Sequence, residues 1–367
     1  MYDIGRGKRA ARAFSLDDIA IVPTRRTRGI DQVNLKWRID AMSFEFPFVA
    51  APMDSVMSPD TAIEFGRLGG LGVINLEGLW TRYEDPQPIF TELAEIQDAH
   101  TATKRLQQVY AAPINPELIT ERMRTIRDAG VPVAGSLSPQ NAREFASVVL
   151  AANPDFFVIR GMAVSAEHVS NVAEPLNLKK FIYDLDVPVI VGGCASYQTA
   201  LHLMRTGAAG VLVGFGGAAT TTTMKVLGIQ IPMATVISDA AEARRDYMDE
   251  SGGRYVHVIA DTAMGTSGDI AKALACGADA AMIGSPLARA TEAPGRGWHW
   301  GAEAWHESVP RGERVAFDTV GTLQQILTGP STIPDGSMNL VGALRRTLAS
   351  TGYTEVKEFQ RIEVVVR

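Results

Sequence analysis

Cysteine is nearly absent: a chain of 367 residues carries two, Cys194 and Cys276. That scarcity excludes a disulfide framework and fits a reducing, cytoplasmic setting. Histidine is sparse too. His100, His168, His202, His257, His299 and His306 show no paired spacing of the H-E-x-x-H kind, which leaves a metal-hydrolase reading without support. There is no run of about 18 apolar residues and no apolar stretch at the start, so neither a membrane span nor a secretory leader is expected. A net charge of -6 gives no electrostatic reason for a nucleic-acid partner. The basic opening, Arg6 to Arg12 with Arg25, Arg26 and Arg28, is short and reads as a solvated or subunit-facing arm. What is present, 46% hydrophobic and 21% charged residues, is globular composition in a chain long enough to bury a large core.

Short apolar runs ended by Gly, Pro, Ser or Asp recur along the chain. They are Pro47–Met53, Leu71–Asn75, Pro132–Leu137, Asp155–Gly161, Pro188–Cys194, Gly210–Phe215, Tyr255–Asp261 and Ala280–Pro286. Both faces of each run are apolar, as in strands of a parallel sheet covered by helices. Helical segments separate them: Pro116–Asp128, a helix capped by Ser138 with Pro139 at its first position, Ser196–Arg205, Asp239–Asp249 and Gly268–Cys276. Glycines 130, 207, 252 and 277 stand where such helices close.

Eight strand runs alternating with helices predict a single α/β domain, a (β/α)8 barrel, over an open doubly wound sheet. Residues 47–293 form the barrel core in this reading, 1–46 an N-terminal extension across its bottom, and 294–367 a tail that turns helical near Leu340. Residues 80–114 make a polar, partly helical connection. The stretch GRGWHWGAEAWHESVPRG reads either as an active-site lid or as a subunit contact.

Chemistry in a barrel belongs at the C-terminal strand ends. The loop Gly214–Thr223 there combines small residues, which admit close backbone approach, with several hydroxyls. A ligand-contacting loop is favoured over a merely flexible one. Gly284 and Ser285, at the end of strand eight, suit a phosphate, and Asp261, one strand end earlier, suits ribose hydroxyls. Asp269 reads as a first-turn helix charge. Cys276 reads as buried filler. Cys194 reads as a small buried residue rather than a thiol nucleophile, with no histidine or cation beside it in sequence.

Several segments together resemble the IMP dehydrogenase/GMP reductase family: SLDDIAIVP (Ser15–Pro23), AAPMDSV (Ala50–Val56), LGGLGVIN (Leu68–Asn75) and the uninterrupted Ser267–Gly295. More narrowly, the chain is similar to the family's actinobacterial branch without CBS domains, because residues 80–131 are too few to hold the paired insert. The resemblance implies a purine mononucleotide (IMP, XMP or GMP), a nicotinamide cofactor (NAD or NADP), a role in GMP biosynthesis, and a homotetramer or octamer. It further implies that Asp261 binds the ribose, Gly284 and Ser285 the 5′-phosphate, and that Met53 packs on the purine. The glycines Gly214, Gly216 and Gly217 would form the mobile catalytic loop, with potassium held by the carbonyls of Gly214 and Gly216.

The departures from the family's pattern bear on the chemistry. Thr221 stands at the position of the nucleophilic cysteine, while Thr223 matches the family's threonine two residues on. A threonine hydroxyl without an adjacent base is far weaker than a thiolate. Ala219 replaces the loop's phosphate-binding serine, and Asp261-Thr262-Ala263-Met264 replaces a DGGI segment. Arg160 replaces the aspartate that holds the nicotinamide ribose, and Arg311 is the nearest basic candidate for the flap. Two functions follow: an oxidoreductase of purine nucleotides with altered chemistry or cofactor, or a purine-nucleotide-binding, regulatory paralogue without turnover.

Overall fold

The computed structural model describes residues 1–166, 168–169, 175–216 and 219–367. Gly217, one of the expected loop glycines, lies outside the described residues. Eight strands close into a barrel: β1 (Phe48–Ala50), β2 (Leu71–Asn75), β3 (Ala134–Leu137), β4 (Phe156–Arg160), β5 (Val189–Cys194), β6 (Gly210–Val213), β7 (His257–Asp261) and β8 (Ala280–Ile283). Every pairing is parallel, and β8 returns to β1 with Ile283 opposite Ala50. The architecture is a (β/α)8 barrel, as the alternating runs predict. Strand residues are buried almost throughout, because one face fills the barrel and the other lies under helices.

Capping chemistry sets the helix starts that matter for the site. Ser138 accepts from the Asn141 N–H, with Pro139 opening the helix Pro139–Ala151. Thr266 and Asp269 form a reciprocal capping box at Ser267–Ala275, so Asp269 serves the helix start. The helix expected over Asp239–Asp249 is longer, Met233–Ser251. Met233, Ala234, Val236 and Ile237 are buried against the barrel and extend the apolar face by more than a turn before the first charge. A helix at Leu323–Thr328, opened by a Thr322 and Gln325 capping box, precedes the one at Leu340–Thr351.

The N-terminal extension covers the bottom only in part. Its ribbon Trp37–Ile39 with Met42–Phe44 does so: Trp37 Nε1 donates to His257 Nδ1 at 3.2 Å, and the Phe44 ring lies 6.3 Å from Phe156. The preceding segment corrects the expectation, since it runs between helices to the opposite end. The Phe14 N–H donates to Thr235 Oγ1 at 2.8 Å, Leu16 is buried, and Ser15, Leu16 and Asp17 border the cleft at the barrel mouth. The connection between β2 and β3 is also less polar inside than its composition suggests. Helices Gln87–Glu95 and Ala99–Tyr110 turn Phe90, Leu93, Leu106, Val109 and Tyr110 inward to form a second core with Trp300 of the tail.

Candidate functional site

A cleft of about 900 Å³ opens at the C-terminal ends of the strands. It lies near the top of the size range usual for small-molecule sites, roughly 300–1,000 Å³. Met53, Arg160, Gly216, Thr221, Asp261, Gly284 and Ser285 all border it, so residues scattered through the sequence converge on one space.

On the β7–β8–β1 side, backbone and side chains face the cleft with little in front of them. Gly284 packs closely here: a Cβ there would lie 3.1 Å from Met53 Sδ and 3.7 Å from His299 Cε1. The Ser285 hydroxyl has no hydrogen bond among the described residues. Asp261 is engaged. Arg160 Nε and Nη2 donate to its two carboxylate oxygens at 2.7 and 3.2 Å, a fork joining the ends of β4 and β7. Burial works against the guanidinium charge, but the Asp261 charge and hydrogen bonds win and hold the Arg160 pKa above its ordinary value. Each carboxylate oxygen has two lone pairs, so Asp261 still has capacity for hydroxyl donors beside Arg160.

The β6 side is occupied by pairing within the chain. Gly214 and Gly216 take φ of 101° and 63°, and a side chain at Gly214 would strike the Asp261 carbonyl, 2.8 Å away. Beyond them Thr221 bridges Gly312 in antiparallel fashion. The Thr222 N–H donates to the Arg311 carbonyl at 2.7 Å, and the Glu313 N–H donates to the Thr220 carbonyl at 2.8 Å. Thr221 Oγ1 lies 2.8 Å from Thr223 Oγ1 and 3.2 Å from the Arg311 carbonyl. No carboxylate or imidazole accepts its proton among the described residues. The tail is thus a wall of the cleft, and Arg311 meets the loop through its main chain.

Neither cysteine replaces the missing thiol. Cys194 is buried, donates to the Leu212 carbonyl at 3.3 Å, and burial pushes its pKa up to about 12. Cys276 caps the helix Ser267–Ala275 and is pushed up to about 11 by burial. Both stay protonated at neutral pH.

The loop after β1 ties these parts together, and sequence reasoning assigned it only Met53. Asp54 Oδ2 accepts from the Leu79 N–H at 2.9 Å and from the Tyr110 hydroxyl at 2.5 Å, and Trp300 Nε1 donates to the Tyr110 oxygen at 3.0 Å. Asp54 Oδ1 has no hydrogen-bond partner among the described residues, and burial raises the carboxyl pKa to about 6. Ser55 in turn holds His299 and the Trp300 main chain. Glu303, also missed, borders the cleft beside Met53 and Arg160. The segment Ala50–Val56 contains Asp54 and Ser55, and the Trp- and His-rich tail stretch contains His299, Trp300 and Glu303, but neither assigns them a role.

The fold and its strand-end cleft define the class: a (β/α)8 barrel with Asp261, Gly284 and Ser285 gathered at the C-terminal ends of β7 and β8. Residues 13–367 match the model of the IMP dehydrogenase/GMP reductase domain. The chain belongs to that family. It is 51% identical to an uncharacterized oxidoreductase of Mycolicibacterium smegmatis across all of both chains. It is 25% identical to the inosine-5′-monophosphate dehydrogenase of Methanocaldococcus jannaschii over 78% of this chain and 74% of that one. A crystal structure of an IMP dehydrogenase/GMP reductase-like protein from Corynebacterium glutamicum superimposes with a TM-score of 0.95 at 50% identity, covering 100% of this chain and 97% of that chain.

Proposed function

We propose that this protein binds a purine mononucleotide on the β7–β8–β1 side of the cleft, and that its β6 loop does not perform the family's cysteine-dependent step. Asp261 receives the ribose hydroxyls with Arg160 as its fixed partner, Gly284 and Ser285 receive the phosphate, and Met53 lies against the base. The observation that carries this reading is the partnering of Thr221. Its hydroxyl faces a second hydroxyl and a carbonyl, not a base. An alcohol in that setting stays protonated and does not add to a purine carbon.

A nicotinamide dinucleotide, which the resemblance implies, fits the residues poorly in the family's arrangement. The side chain at its ribose position is Arg160, a donor already committed to Asp261, where an acceptor is needed. Hydride transfer is therefore not assigned to any residue. The reading also makes no demand on potassium at Gly214 and Gly216. A redox function on the nucleotide is the second reading, favoured by one observation: Glu303 supplies a carboxylate near Arg160 in a cleft with room beyond a mononucleotide.

Calorimetric titration with IMP, XMP and GMP tests the first reading. Saturable binding of one of them, lost in Asp261→Ala, is expected. Absence of binding by all three contradicts it.

A further inference from the structure

Beside Met53 and Gly284 lies an imidazole with one nitrogen unused. His299 is fully buried, borders the cleft, and has no hydrogen-bond partner at Nε2 among the described residues. Its Nδ1 lies 3.0 Å from Ser55 Oγ. That same oxygen receives the Trp300 N–H at 3.2 Å and lies 3.0 Å from the Trp300 carbonyl.

The serine decides the tautomer. A hydroxyl has one proton and two lone pairs. The Trp300 N–H takes one lone pair. If the serine proton goes to the Trp300 carbonyl, the other lone pair accepts Nδ1–H and every polar group around the serine is satisfied. The opposite assignment leaves the carbonyl of Trp300, a residue only 1% exposed, without a donor. Nδ1 therefore carries the proton, and Nε2 is a bare acceptor. Phe317 stacks on the ring with centroids 5.4 Å apart and fixes its plane. Burial brings the pKa down to about 3, so the ring is neutral at physiological pH.

A buried acceptor without a donor is costly, and a ligand that supplies the donor removes the cost. A phosphate dianion offers only acceptors and cannot do so. A purine with a ring or exocyclic N–H can. Met53 and His299 both flank the Gly284 wall, so a base resting on Met53 comes within reach of the imidazole.

We propose that His299 is a specificity-determining residue of the cleft, its Nε2 accepting a hydrogen bond from an N–H of the bound purine base. Bases that offer such a donor are thereby selected over bases that do not. The proposal rests on the mononucleotide reading above.

The test compares IMP, whose base has an N–H, with purine riboside 5′-monophosphate, whose base has none. The wild type is expected to bind IMP at least tenfold more tightly, and His299→Leu to bring the two within threefold by weakening IMP alone. His299→Gln, which offers an amide oxygen, should recover part of the difference. In ¹⁵N-histidine spectra of the wild type, His299 Nε2 should resonate as a bare nitrogen and shift when IMP binds. Equal weakening of both nucleotides in His299→Leu, no weakening of either, or a protonated Nε2 in the free protein overturns the role of His299 while the mononucleotide reading stands. Binding of neither nucleotide by the wild type overturns both.

Discussion

The two sides of the barrel mouth differ in what the chain does with its own polar groups. At β7, β8 and β1 the Ser285 hydroxyl and the His299 Nε2 have no hydrogen-bond partner among the described residues, and Asp261 is anchored by Arg160. At β6 the main-chain groups of Thr220 and Thr222 and the hydroxyl of Thr221 are taken up by residues 311–313. The first side has the form of a receptor. The second has become a strap. On the proposed reading, ligand binding and bond-making are separable here because they rest on different strand ends.

The largest difference between the two sides is expected at Asp261. Removing it leaves a mostly buried arginine without its counter-charge, which typically costs about 3–5 kcal/mol. Asp261→Ala should therefore lose stability on that scale in urea unfolding, together with nucleotide binding. A loss below about 1 kcal/mol would mean that the fork to Arg160 is loose in solution.

Acid should act through His299. Its pKa in the folded protein, about 3, lies below the ordinary value of 6.5, so the unfolded chain binds the extra proton between those limits. Stability then falls as pH falls through 6.5 toward 3. Relative to His299→Gln, the wild type should lose about 2 kcal/mol by pH 5, at roughly 1.4 kcal/mol per pH unit. Unfolding of both proteins at pH 7.5 and pH 5 checks this; a constant difference would place the imidazole in contact with water.

Smaller effects belong to the strap. Thr221→Ala should change nucleotide affinity by less than about threefold, since the hydroxyl serves the Arg311 carbonyl and Thr223. A larger drop in calorimetry would return Thr221 to the binding surface. Smallest of all, Cys194 should resist iodoacetamide at neutral pH in the folded protein, because its buried thiol stays protonated; prompt labelling seen by mass spectrometry would show an opening of β5.

The barrel was legible in the sequence because strands covered on both faces are apolar without interruption, as in PVIVGGC and AAMIGSP. Met53, Asp261, Gly284 and Ser285 were legible because position at a strand end carries meaning in this architecture. Arg160 stands out by its strand end and by the cofactor position it occupies in the resemblance, but its pairing with Asp261 is not legible, since the partner is 101 residues away and no local pattern announces a pair. His299 and Glu303 lay inside a stretch already singled out. Their roles depend on Ser55, Met53 and Arg160, contacts that only tertiary packing creates. The N-terminal segment misled for a similar reason. Its ribbon does plug the bottom, and nothing local shows that Phe14 is held by Thr235 toward the other end.

On the proposed reading a purine nucleotide binds here without the family's covalent chemistry. This is tested most directly by following absorbance at 340 nm with purified protein at saturating nucleotide, using IMP with NAD or NADP and GMP with NADPH. No change in absorbance is expected with nucleotide bound, in the wild type and in Thr221→Cys alike. Steady, nucleotide-dependent turnover by the wild type would contradict it and move the search for the reacting group to Glu303 and His299.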